Sequence, residues 1–176
     1  MIKVILLLIL LCSTTQAKVE LPDLKVTLQT GESKLFYSDL VKDKVVVIRF
    51  IFTDCGMVCP MLGVLFKRLQ KRLSSQMGQQ VHLLSISIDP ANDTPEKMRL
   101  WGEKYGAGIG WNQITGQKQI IDQLLKSLQA FSVERDSHSA LLLLGNENAG
   151  VWKRLDGTTP LAVLDEEIQK LLVLNH

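Results

Sequence analysis

The chain has 176 residues, room for one domain with a substantial core. Hydrophobic residues make up 46% and charged residues 22%, a balance that excludes an intrinsically disordered chain. The formal charge is only +2 and no run of Lys and Arg forms a patch, so nucleic-acid binding is set aside.

The first seventeen residues differ from the rest. Lys3 supplies a short positive start, Val4 to Cys12 is an unbroken apolar run, and a small residue follows at Ala17. This layout predicts a cleavable secretory signal over residues 1–17, with residues 18–176 forming a single exported domain. The apolar run is about half the ~20 residues that a membrane span requires. Leu11 stands where a lipoprotein signal needs a small residue, so Cys12 reads as a discarded apolar position. The exported chain keeps two cysteines, Cys55 and Cys59, and meets an oxidising space such as the periplasm.

Residues 24–37 alternate on both sides of Thr30-Gly31-Glu32-Ser33 and predict an N-terminal hairpin. Val45 to Phe52 is a nearly continuous β-branched and aromatic run, expected as a buried central strand. Arg49 is its one charge and is expected near an end or a face edge. From Pro60 the period changes: Leu62, Leu65, Phe66, Leu69 and Leu73 mark an amphipathic helix. Val81 to Ile88 reads as a second strand, and Thr94-Pro95 as the cap and first residue of a second helix. Trp111 to Thr115 is a short strand and Gln117 to Ala130 a third helix. Strands at 140–144 and 150–155 flank Gly145-Asn146-Glu147-Asn148, a hairpin turn, and Thr159-Pro160 opens the last helix. This order predicts an α/β fold, a central mixed sheet with helices on both faces, in the thioredoxin arrangement.

Cys55-Gly56-Met57-Val58-Cys59-Pro60 falls where the first central strand gives way to a helix, the end of an open α/β sheet at which ligands bind. Pro60 suits the first helical position, which makes Cys59 the expected N-cap, with the positive helix end favouring its thiolate. A structural disulfide across so short a loop would stabilise little. A redox pair is usually spaced C-x-x-C, whereas three residues intervene here. Two sulfurs converging on one ion tolerate the wider loop, and thiolates favour Cu(I).

Two sulfurs leave room for a third ligand. His176 is terminal, and His82 alternates within a strand, where a lone histidine is more often structural. His138 precedes the strand at 140–144, in the slot where thioredoxin-like reductases carry a cis-proline facing their cysteines. No proline occurs between Pro95 and Pro160, so His138 fills that slot and is the expected third donor. Asp89 reads as a turn residue with a possible approach to the site, and Asp93 as support for the turn into the second helix. Met57 and Met61 read as core or rim residues, Trp101 and Trp111 as packing. Asp54, beside the pair, would attract a cation but oppose thiolate formation.

Cys55-x-x-x-Cys59-Pro60, the run from Asp89 to Pro95 and the isolated His138-Ser139 together resemble the Sco/SenC family, from about Leu21 to the C-terminus. The resemblance implies a thioredoxin-like fold and copper held by Cys55, Cys59 and His138. It also implies delivery of copper for assembly of the copper centre of cytochrome c oxidase. The implied partners are the oxidase copper subunit or another copper acceptor, with a thiol-reducing partner for the cysteine pair, and the chain is expected to be monomeric. The alternative is a thiol-disulfide oxidoreductase that uses Cys55 and Cys59 as its catalytic redox pair on a metal-site client. A thiol peroxidase is disfavoured, because Ile48 and Phe52 occupy the Pro and Ser/Thr positions its motif places before Cys55.

Overall fold

The computed structural model describes residues 21–56, 58–131 and 140–174. At its N-terminal end β1 (Lys25–Leu28) and β2 (Ser33–Leu35) form the expected hairpin. The second arm is shorter than its alternation suggested, because the chain turns into a short π-helical segment, Phe36–Val41. Phe36, Leu40 and Val41 bury in the core. Asp39 accepts the Leu35 N–H at 2.8 Å, and Asp23 accepts the N–H groups of Tyr37 and Ser38 at 3.1 and 3.0 Å. Carboxylates that satisfy free backbone donors hold this turn against the strand propensity of its residues.

The remaining elements follow in the expected order. They are β3 (Val45–Ile51), α1 (Val58–Leu73), β4 (Val81–Ser87), α2 (Pro95–Lys104), β5 (Trp111–Thr115), α3 (Lys118–Ser127), β6 (Leu141–Asn146), β7 (Val151–Asp156) and α4 (Leu161–Val173). The strands make one seven-stranded sheet in the order β2-β1-β5-β4-β3-β6-β7. Its centre, β3-β4-β5, is parallel, and the β1–β5, β3–β6 and outer pairs are antiparallel. Every residue of β3 is buried, as expected for the central strand of a sheet covered on both faces.

Side chains alternate along β3 between two cores. Val45, Val47 and Ile51 pack with α1, α2 and α4, whereas Val46, Ile48 and Phe50 pack with α3 and the π turn. Thr94 caps α2 as read from sequence, its hydroxyl accepting the Lys97 N–H at 3.3 Å with Pro95 opening the helix. The β6–β7 turn falls two residues later than expected, since Gly145 and Asn146 still pair with β3. Gly145 is there for space: a Cβ would sit 2.4 Å from the Trp152 ring. Among the described residues no helix is long and apolar enough to cross a membrane.

Arg49 departs furthest from its expected place. It lies near the middle of β3, fully buried, on the face beneath α1 and α2 rather than at an edge. Its guanidinium carbon stands 4.3 Å from the ring centroids of Phe66 and Trp101 and 5.2 Å from that of Trp111. Three aromatic faces, each carrying negative charge density, make a buried cation tolerable where a strand of aliphatic residues would not.

Candidate functional site

β3 runs straight into the cysteine loop, and two hydrogen bonds shape that loop from within. The Cys55 N–H donates to the Phe52 carbonyl at 3.2 Å, and the Cys59 N–H donates to Cys55 Sγ at 3.4 Å. No disulfide joins Cys55 to Cys59. α1 begins at Val58, so Cys59 sits in the first helical turn instead of capping it. It is Cys55 whose sulfur meets a free backbone donor of the helix start.

Burial separates the two thiols. Cys59 is 4% exposed and packs in the core beneath α1, while Cys55 is partly exposed at its edge. Burial, with the neighbouring Cys55 thiol, pushes Cys59 up to about 12, against the opposing pull of Arg49. The expectation that the helix end would make Cys59 a thiolate is therefore corrected: desolvation outweighs the helix-end field, and Cys59 carries its proton at neutral pH. A metal ion that binds it must displace that proton.

A second set of bonds fixes the loop from outside, and the sequence reading missed its extent. Asp93, 1% exposed, accepts the Thr53 N–H at 3.0 Å and the Thr53 hydroxyl at 2.6 Å through one carboxylate oxygen. Its other oxygen accepts the Ser87 hydroxyl at 2.6 Å, and its backbone carbonyl accepts the Thr115 hydroxyl at 2.8 Å. One residue thus ties the cysteine loop to the ends of β4 and β5, through its carboxylate to Thr53 and Ser87 and through its backbone carbonyl to Thr115. The signal in sequence was present only as a turn motif before Thr94-Pro95; nothing in it told that the side chain would reach back to residue 53.

Asp89 builds the same turn. Its backbone carbonyl accepts the N–H groups of Asn92 and Asp93 at 2.9 Å, and its carboxylate accepts the Asn92 amide at 2.9 Å. Met61 is 47% exposed, which places it on the rim, and Trp101 and Trp111 pack as expected. His82 lies on β4 beside Lys44. Burial first and Lys44 second pull its ring down to about 4, so it is neutral at physiological pH. His138 and His176 lie outside the described residues, as does Met57. Cys55 and Cys59 are accordingly the part of the expected ligand set that the structure brings together. Among the described residues no cluster of three or more His, Cys, Asp and Glu could hold a metal. Two adjacent soft sulfurs do fit a soft ion such as Cu(I), whose preferred partners are thiolates.

Known proteins extend this picture. The sequence profile of the SCO1/SenC family matches residues 16–173. The SCO1 protein homolog of Bacillus subtilis is 32% identical over 107 residues, 59% of this chain. That match spans 55% of the relative's own length, so this chain covers only about half of it. Among solved structures, BsSco, described with a disulfide switch and as a member of the Sco family of cytochrome c oxidase assembly proteins, superposes with a TM-score of 0.74 at 26% identity. The superposition covers 88% of this chain and 94% of that one. Copper-bound ScoI of Arabidopsis thaliana shares the fold with a TM-score of 0.71, covering 85% of this chain and 96% of that one at 18% identity. With its mixed sheet, flanking helices and cysteine loop at the end of the central strand, the chain belongs to the SCO1/SenC family.

Proposed function

We propose that this protein is an exported copper metallochaperone that loads Cu(I) between Cys55 and Cys59, with His138 as third donor, and delivers it for assembly of the cytochrome c oxidase copper centre. The observation that carries the reading is the placement of Cys55 and Cys59 side by side in the loop after the central strand, with the Cys59 N–H on Cys55 Sγ and the two side chains hydrogen-bonded. Family membership, copper in ScoI of Arabidopsis thaliana and the oxidase-assembly role stated for BsSco support the choice of metal and client.

The proposed chemistry is ligand exchange. Cu(I) displaces the thiol protons to solvent and binds two thiolates and a neutral imidazole. A partly exposed Cys55 offers the acceptor a first point of attack, while buried Cys59 lets go last. Asp93 holds the loop so that both sulfurs face one ion without a large reorganisation. In this reading residues 1–17 direct export to the periplasm or an equivalent space, and residues 18–176 act as one domain.

The same two thiols favour one alternative, a thiol-disulfide oxidoreductase that reduces a client's metal-site cysteines. The two are separated by mixing copper-loaded protein with the metal-free copper domain of an oxidase subunit, prepared in reduced and in disulfide form. Chaperone action moves copper into the reduced acceptor with its thiol count unchanged. Reduction of the disulfide acceptor, with no metal transfer to the reduced one, would assign the pair to redox work instead.

A further inference from the structure

Arg49 has no part in that chemistry, yet a fully buried guanidinium is costly to place in a core. Its Nε donates to the Ser85 hydroxyl at 2.9 Å, an oxygen that also accepts from Trp111 Nε1 at 3.0 Å. Nη1 and Nη2 are fully buried and have no hydrogen-bond partner among the described residues. Among the described residues no carboxylate pairs with the guanidinium, whose company is the rings of Phe66, Trp101 and Trp111. A buried cation without an anion is worse for stability than an apolar residue of the same size, so a purely structural core would do better with Met or Leu here. Burial draws the guanidinium down to about 9, which leaves it charged at neutral pH.

The direction in which Arg49 points supplies a use for that charge. It projects onto the face of β3 that packs under α1, where Cys59, Leu62 and Phe66 form one buried stripe. Among the groups able to become anions, Cys59 acts on it most strongly, followed by Tyr105. Two thiolates holding a monovalent ion carry a net charge of −1, and a neutral imidazole does not change that sum. The same thiolates holding a divalent ion carry none. Only the monovalent complex gives the unpaired guanidinium its counter-charge.

We propose that Arg49 is a specificity-determining residue of the cysteine site, the fixed buried counter-charge that selects monovalent over divalent soft metal ions. The proposal deepens the metallochaperone reading and rests on its thiol pair. Binding is M⁺ + 2 Cys–SH → [M(S-Cys)₂]⁻ + 2 H⁺ for a monovalent ion and M²⁺ + 2 Cys–SH → M(S-Cys)₂ + 2 H⁺ for a divalent one. Both displace the same protons, so their affinity ratio at fixed pH is free of thiol titration and reports charge.

Ag(I) and Hg(II) serve as probes, since both are closed-shell ions that favour two sulfurs in line. Each is titrated into the reduced, metal-free protein against the same small dithiol competitor. The parent is compared with Arg49→Met, Arg49→Gln, Arg49→Leu and Arg49→Lys, folding being checked by circular dichroism. Any neutral variant that folds is expected to lower the Ag(I)/Hg(II) affinity ratio by roughly tenfold or more, the scale of one unit charge acting through a partly screened interior. Arg49→Lys, which keeps the charge, is expected to stay near the parent ratio. A purely structural arginine would weaken both ions alike, and an unchanged ratio in a folded neutral variant overturns the proposal. A parent that holds neither ion overturns the thiol-site reading itself, and this inference with it.

Discussion

Cys55 and Cys59 differ in burial by enough to give the pair a distinct chemistry at each end. Because Cys59 holds its proton up to about 12, loading must expel it, and apparent metal affinity is expected to rise about tenfold per pH unit from this group across the neutral range. Competition titrations at pH 6, 7 and 8 check this; an affinity independent of pH would show that Cys59 is already a thiolate. Asp93→Ala removes the acceptor for Thr53 and Ser87 in a buried place and is expected to cost about 3 kcal/mol in urea unfolding, with looser metal binding. His82 offers a pH test remote from the site. Its folded value of about 4 lies below its ordinary value, so the unfolded chain takes the proton first. The stability from its neutral ring is full above about pH 6.5 and is lost as pH falls toward 4. Urea midpoints between pH 7 and 4 should therefore fall less steeply for His82→Gln than for the parent. At this scale the cysteines were legible from motif and placement, whereas Arg49 and Asp93 were not. A charge in an apolar strand reads as an edge residue until three rings from separate elements are known to enclose it. The reach of Asp93 depends on how two loops 40 positions apart meet.

The elements of this fold were legible wherever periodicity and capping agreed, as in α2, where Thr94 and Pro95 mark the start and the structure keeps both roles. They were misplaced where tertiary contacts overrode local signals. The Gly145-Asn146 pair looks like a turn, yet it continues β6, because Trp152 lies over Gly145 and Asn146 donates to the Leu171 carbonyl of α4 at 2.8 Å. The start of α1 lies at Val58 rather than Pro60, which moves Cys59 from cap to first turn. α1 is set against α2 by a close approach at Gly63, where a Cβ would lie 2.6 Å from the Tyr105 ring. That ring packs at a tilt against Trp101, 4.5 Å between centroids, and has little freedom to withdraw. Gly63→Ala is expected to destabilise the protein by about 2 kcal/mol, the usual cost of overpacking a core. Thermal unfolding checks it, and a stability equal to the parent's would mean that the α1–α2 contact is softer than drawn.

At the scale of the whole molecule, the sheet presents one loop at the end of its central strand, and two layers of apolar packing hold that loop in place. The fold class was readable from element order alone, because two parallel crossovers followed by a hairpin and a helix leave few ways to close a sheet. The family was readable where chemistry is concentrated in few residue types, two sulfurs and an imidazole, and the copper work of Cys55, Cys59 and His138 belongs to the proposal. His138→Ala should weaken Cu(I) binding while leaving the Cys55–Cys59 pair able to form a disulfide. Unchanged copper affinity would remove it from the ligand set. The most direct test of the central claim is an anaerobic titration of the reduced protein with Cu(I) against a competing chelator. One tightly bound copper per chain, lost in Cys55→Ser and in Cys59→Ser, is the predicted result. Weak binding, or tight binding that survives either substitution, would contradict the thiol-pair copper site.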